Sequence, residues 1–281
     1  MVSDRLISSE KLHMLDHKWY VVESIKYRSG TYAVQWYIVQ PFSVPEQDRK
    51  YPVIIFNRGG CGDIWALSEE YIQKRLWLFA SRGYVVLASQ YRGNSFSDGH
   101  DEIGGADVED IVALYELAHE LSYCDMDRVG MIGGSRGGMM MCRFLQQRPH
   151  IRAAISLAGL MNMQRMLEQR EDIRELYSQY FELTEENIRM RSPVRRVEEL
   201  PKTVPFLLMH GRCDRRVSPL DALEIAQQFY EHRIPHKLVM FPWAEHRLID
   251  VREEVDYEIR TFLDKYVKNN SLLPSTEPFG E

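Results

Sequence analysis

No stretch of this sequence reaches the ~18 uninterrupted apolar residues of a membrane-spanning helix, the nearest candidates being broken by Arg136, Arg152 and Arg165. No membrane partner is expected. The opening residues MVSDRLISSEKLHMLDHKWY carry Asp4, Glu10 and Asp16 and lack the apolar core of a secretory signal, so a cytoplasmic location is expected. Cysteine is scarce too. Cys61, Cys124, Cys142 and Cys213 show no CxxC or other metal-type spacing and read as reduced thiols. Positive charge is not in excess either, since 35 Lys+Arg against 41 Asp+Glu leave a net charge of −6. That disfavours nucleic acid as a partner.

Metal ligand sets are also lacking. His13 and His17 stand at i and i+4 without a third ligand, and Asp98-Gly99-His100-Asp101-Glu102 lacks the alternation of a calcium loop. Neither a metal nor another cofactor is expected.

What is present is a globular balance, 27% charged and 44% hydrophobic over 281 residues, enough chain for one large core. We expect a single domain over 1–268 and a flexible tail over 269–281, which holds Pro274 and Pro278. Residues 20–40 are two β-rich runs around Arg28-Ser29-Gly30, the pattern of a hairpin. The runs PVIIF (52–56), YVVLAS (84–89), RVGMIG (128–133), AAISLA (153–158), FLLMHG (206–211) and KLVMF (237–241) read as buried parallel strands. Helical patterns separate them; Val108, Ile111, Val112, Tyr115 and Ala118, for example, form one apolar face. Strands alternating with helices predict an α/β fold with a mostly parallel central sheet and helices on both faces. Residues 162–200 break this rhythm with many charges and interleaved Tyr177, Tyr180 and Phe181, which predicts a small helical insertion. Within it Arg191, Arg195 and Arg196 lie between Glu185-Glu186 and Glu198-Glu199, the pattern of a solvated, self-compensated surface.

The chemistry centres on Gly133-Gly134-Ser135-Arg136-Gly137, a G-x-S-x-G between a strand and a helix. A sharp strand-to-helix turn projects the hydroxyl of Ser135, and the backbone amide of Arg136 is placed to stabilise an oxyanion at the helix N-terminus. A serine nucleophile needs a base and an acid that orients it. Asp214 follows the strand FLLMHG, and His246 follows KLVMF, giving the order Ser, Asp, His of the α/β-hydrolase fold. His210 is the main rival base, but it precedes the acid. His232 and His236 read as surface residues; Asp221 reads as a first-turn helix residue, and Asp250 as lying inside the last helix. The second oxyanion donor is expected from Asn57-Arg58-Gly59-Gly60-Cys61-Gly62, with the Gly60 amide first and the Cys61 amide as the alternative. The Cys61 thiol itself reads as inert.

These motifs, together with YRGNS at Tyr91–Ser95, GGADVEDI, CDMDRVGMIGGSRGG, SPVRRVEELP and the terminal AEH, resemble the catalytic domain of the prolyl oligopeptidase family over roughly residues 50–267. The resemblance implies Ser135 as nucleophile, Asp214 as orienting acid and His246 as base. Two departures stand out. Arg58 and Cys61 occupy the places of the His and Pro in the family's HGGP loop, and the chain has no room for the N-terminal β-propeller of the family's peptidases. The role of Arg58 stays open between binding a substrate carboxylate and pairing with a neighbouring acid. The expected activity is that of a serine hydrolase acting on a small ester or a short peptide through an acyl-enzyme on Ser135. A small-molecule carboxylesterase and a catalytically silent binding fold are the alternatives. The insertion over 162–200 is expected to cap the site.

Overall fold

The computed structural model describes residues 6–12, 20–41, 50–147, 150–273 and 276. His13 and His17, and most of the tail beyond 273, lie outside them. The chain divides into two compact units, Met1–Glu102 with Ala106–Val129, and Ile103–Gly105 with Gly130–Glu281.

In the first unit the hairpin forms as expected. Strands β2 (Tyr20–Ser29) and β3 (Tyr32–Pro41) pair antiparallel around a two-residue turn, Ser29 facing Tyr32. A strand the sequence reading missed, β1 (Leu6–Leu12), pairs antiparallel with β2. Its residues are mostly polar and exposed, as an edge strand allows, so it carries little hydrophobic signal. β3 pairs antiparallel with β5 (Val85–Ser89), and β5 pairs parallel with β4 (Tyr51–Asn57). β4 and β5 are buried on both faces, which explains their unbroken apolar runs. Between them lie α1 (Glu69–Tyr71), a π-helical turn over Ile72–Leu76 and α2 (Trp77–Ala80). The predicted apolar face of α3 (Val108–Glu120) is buried at all five positions. Asp110 of α3 is buried as well; its Oδ1 accepts from Ser29 Oγ and from Nε and Nη2 of Arg92, and its Oδ2 from the Arg92 amide and Nε. Such a charge is tolerated inside only because its oxygens are satisfied.

Strand β6 (Cys124–Gly134) begins in the first unit and ends in the second. In the second unit, β6, β7 (Ala153–Leu157), β8 (Phe206–Gly211) and β9 (His236–Phe241) pair in that order, all parallel. The intervening helices are α4 (Arg136–Gln147), α8 (Pro219–Glu231) and, after β9, α9 (Arg252–Leu263). The insertion is helical, with α5 (Met163–Gln169), α6 (Glu171–Tyr177), α7 (Glu185–Met190) and two 3-10 turns. Asn162 and Thr184 cap α5 and α7 through their side chains.

Two expectations need correction. Asp250 lies in the loop before α9, not inside it. In the basic cluster, Arg195 and Arg196 do pair with Glu185 and Glu199, but Arg191 is buried. Its Nε donates to Ile103 O at 2.8 Å, and its guanidinium stacks 3.9 Å from the Phe181 ring. The aromatic residue supplies a face that a charge count along the sequence does not register.

Candidate active site

Ser135 sits at the turn from β6 into α4 with φ +54, a left-handed conformation that side-chain-bearing residues rarely adopt. Its amide donates to Leu157 O, and its carbonyl accepts from Gly138 and Leu160, so the strained turn is held from both sides. The turn needs glycine at 133, because a Cβ there would lie 2.2 Å from Gly137 O. Ser135 is half-buried, and its hydroxyl makes no hydrogen bond among the described residues.

Asp214 and His246 do meet. Loops after β8 and β9 run against each other, Arg212 N donating to Phe241 O and Cys213 N to Ala244 O. Gly211 makes that approach possible, since a Cβ would stand 2.3 Å from Ala244 O. The result is a 2.7 Å hydrogen bond between His246 Nδ1 and Asp214 Oδ2. Asp214 is buried, whereas the His246 side chain keeps 13% of its surface exposed.

His210, set aside as a rival base, is a third member of this group. Its Nε2 lies 2.9 Å from Asp214 Oδ2 and 3.2 Å from Val217 O, two acceptors, so this nitrogen carries the proton. The other oxygen, Oδ1, accepts from the amides of Arg216 and Val217. Burial pushes the Asp214 carboxyl up, but hydrogen bonds from His210 and His246, the field of His246 and the Arg216 amide outweigh it. They hold the group well below the usual carboxylate range. The spacing of four between His210 and Asp214 was the available signal for this contact.

Ser135, Asp214 and His246 follow the carboxyl ends of β6, β8 and β9, parallel strands of one sheet, the edge at which such sheets gather ligands. The structure thus joins Asp214 to His246 directly and places Ser135 at the same edge without a bond to the imidazole.

Arg58 answers the question the sequence left open: it is 1% exposed, which excludes binding of a substrate carboxylate. Its Nε and Nη2 donate to Gln90 O, Nη1 to Gly59 O and Ile64 O, and Nη2 also to Gly62 O. Gly62 N in turn donates to Asp101. The loop that carries Gly60 and Cys61 is therefore built around a buried guanidinium. Cys61 is buried, none of the four cysteines forms a disulfide, and burial pushes the Cys124 and Cys142 thiols up to about 12. His232 and His236 are half-buried, each with Nδ1 against a backbone carbonyl. Asp221 lies in the first turn of α8 as expected, but its carboxylate serves the amides of Met161 and Asn162 and the Arg165 guanidinium. Among the described residues no group of three or more His, Cys, Asp or Glu is arranged to hold a metal, and no helix is long and apolar enough to cross a membrane.

Comparison with known proteins agrees with this architecture. The model of the prolyl oligopeptidase family matches residues 70–270, more than half of the chain. The uncharacterized peptidase YtmA of Bacillus subtilis (strain 168) is 28% identical over 179 residues, covering 62% of this chain and 67% of its own. The human acylamino-acid-releasing enzyme is 26% identical over 242 residues, 78% of this chain but 31% of that enzyme, so this chain spans about a third of it. A solved puromycin-hydrolyzing peptidase of Mycobacterium tuberculosis shares the fold, with a TM-score of 0.72 at 23% identity over 84% of this chain and 37% of that one. A mostly parallel sheet, a strained serine between strand and helix, and a matching family model over most of the sheet lead to one statement: the chain belongs to the prolyl oligopeptidase family and is a serine hydrolase with the α/β-hydrolase fold.

Proposed function

We propose that this chain hydrolyses peptide bonds through an acyl-enzyme on Ser135, with His246 as general base and acid and Asp214 as its orienting carboxylate. The observation that carries the reading is the 2.7 Å bond from His246 Nδ1 to a buried Asp214, at the sheet edge where Ser135 also lies. That bond puts the proton on Nδ1 and leaves Nε2 as the lone-pair nitrogen, the tautomer a base requires. In the reaction Ser135 Oγ attacks the scissile carbonyl carbon while His246 Nε2 takes the hydroxyl proton. Negative charge moves to the carbonyl oxygen, which the amide of Arg136 at the start of α4 receives. Collapse breaks the C–N bond, and the imidazolium hands its proton to the departing amine. Water, deprotonated by the same nitrogen, then releases the acid and restores Ser135. The mechanism requires Ser135 Oγ within hydrogen-bond reach of His246 Nε2 in the complex with substrate.

Peptide bonds are favoured over esters because the matched family is that of prolyl oligopeptidase and YtmA is named a peptidase. The helices α5, α6 and α7 would cap the site. Cysteines outside disulfides fit a cytoplasmic setting. A fluorophosphonate probe should label the protein and fail on Ser135→Ala; equal labelling of both, or of neither, would overturn the assignment and favour a silent fold. Aminoacyl nitroanilides against nitrophenyl esters decide between peptide and ester.

A further inference from the structure

Beside Asp214 the second unit holds a cleft of about 200 Å³ lined by Met166, Gln169 and Arg170 on one side and by Asp214–Arg216, Ser218, Pro219 and Asp221 on the other. Its two carboxylates are already engaged, Asp214 by two imidazoles and two amides, Asp221 by Arg165 and two amides. Arg170 is engaged as well. It grips Asp172 and donates through Nη1 to the carbonyls of Arg215 and Arg216, tying the end of α5 to this loop.

Three lining side chains have donors left over. Arg215 and Gln169 are exposed and Ser218 is half-buried, and none of the three makes a side-chain hydrogen bond or ion pair among the described residues. One is a fixed cation, so the unused donors share a preference for an anion, and a planar guanidinium suits a carboxylate in particular. Met166 and Pro219 add apolar surface for the methylenes that would carry such a group.

We propose that this cleft is a subsite for an acidic substrate side chain and that Arg215 is the residue that selects it. The proposal deepens the peptidase reading and rests on it, because the cleft is lined by Asp214, the residue whose buried carboxylate bonds His246.

The test compares glutamyl with glutaminyl nitroanilides, the pair differing at one of the two residues on the acyl side, with the full chain. At one of these positions Glu should exceed Gln in kcat/KM by about tenfold at low salt, the scale of a charge-assisted hydrogen bond on a partly exposed guanidinium. Arg215→Ala should bring the ratio close to one, and Arg215→Glu should reverse it. Equal turnover of the pair by the unaltered protein, or a Glu preference that survives Arg215→Ala, would overturn the proposal. Binding of the corresponding Glu and Gln peptide acids to Ser135→Ala reads the cleft without chemistry. A Glu preference there, in a protein whose unaltered form takes no fluorophosphonate, would keep the subsite and reject the hydrolase; equal binding would reject the subsite.

Discussion

His210 Nε2 shares a single carboxylate oxygen with His246 Nδ1, standing 2.9 Å from Asp214 Oδ2 while the second imidazole stands 2.7 Å from it. Two donors on one oxygen and two amides on the other leave the carboxylate a single orientation. His210 therefore fixes the acid that fixes the base.

Replacing His210 by Ala removes one of the two donors on that oxygen and loosens the orientation of the carboxylate that holds His246. We expect kcat to fall by about tenfold with KM nearly unchanged. His210→Gln, which keeps a donor, should recover most of the loss. A fall in the amount of active protein with kcat per active site unchanged would assign His210 a purely structural part.

Asp214 also links stability to pH. Its folded carboxyl lies below the unfolded reference of about 3.9, so the native state holds the charged form and its stabilisation is complete above that value. As pH falls below about 4, toward the lower native titration, the contribution is lost. Melting temperature measured across this range should therefore drop more steeply for the unaltered protein than for Asp214→Asn. Parallel curves would contradict the linkage.

Arg58→Ala removes the donors that serve four carbonyls in a buried loop, and should cost about 3 kcal/mol, read as a lowered denaturation midpoint. Arg58→Lys keeps the charge but not the fork, so it should fall between the two. If Lys proved equivalent to Arg in both stability and turnover, the geometry of the guanidinium would not matter.

Gly133→Ala forces a methyl to within 2.2 Å of the Gly137 carbonyl oxygen, and backbone on both sides cannot yield cheaply. Destabilisation of about 3 kcal/mol or failure to fold is expected, with loss of probe labelling at Ser135 in any soluble product. Normal labelling would show that the turn does not need a bare Cα.

Much of this molecule is local, and local features are legible. The apolar runs that form β4, β8 and their neighbours, the face of α3, and Gly133 two residues before Ser135 each report a constraint acting over a few residues. Asp214 and His246 stand just past strand ends, a position visible along the chain, while the contact between them is not. β1 was missed because an exposed edge strand makes no demand on hydrophobicity.

Periodicity, or a residue type that its own backbone requires, fixes the alternation of strands and helices, the strained serine and the chain order of acid and histidine. The burial of Arg58 and Arg191, the bond from His210 to Asp214 and the cleft that Arg215 faces with its charge unspent come instead from how distant segments pack. A charged side chain looks the same in a sequence whether it meets water, a carbonyl or an aromatic ring, and only the surrounding fold selects among them.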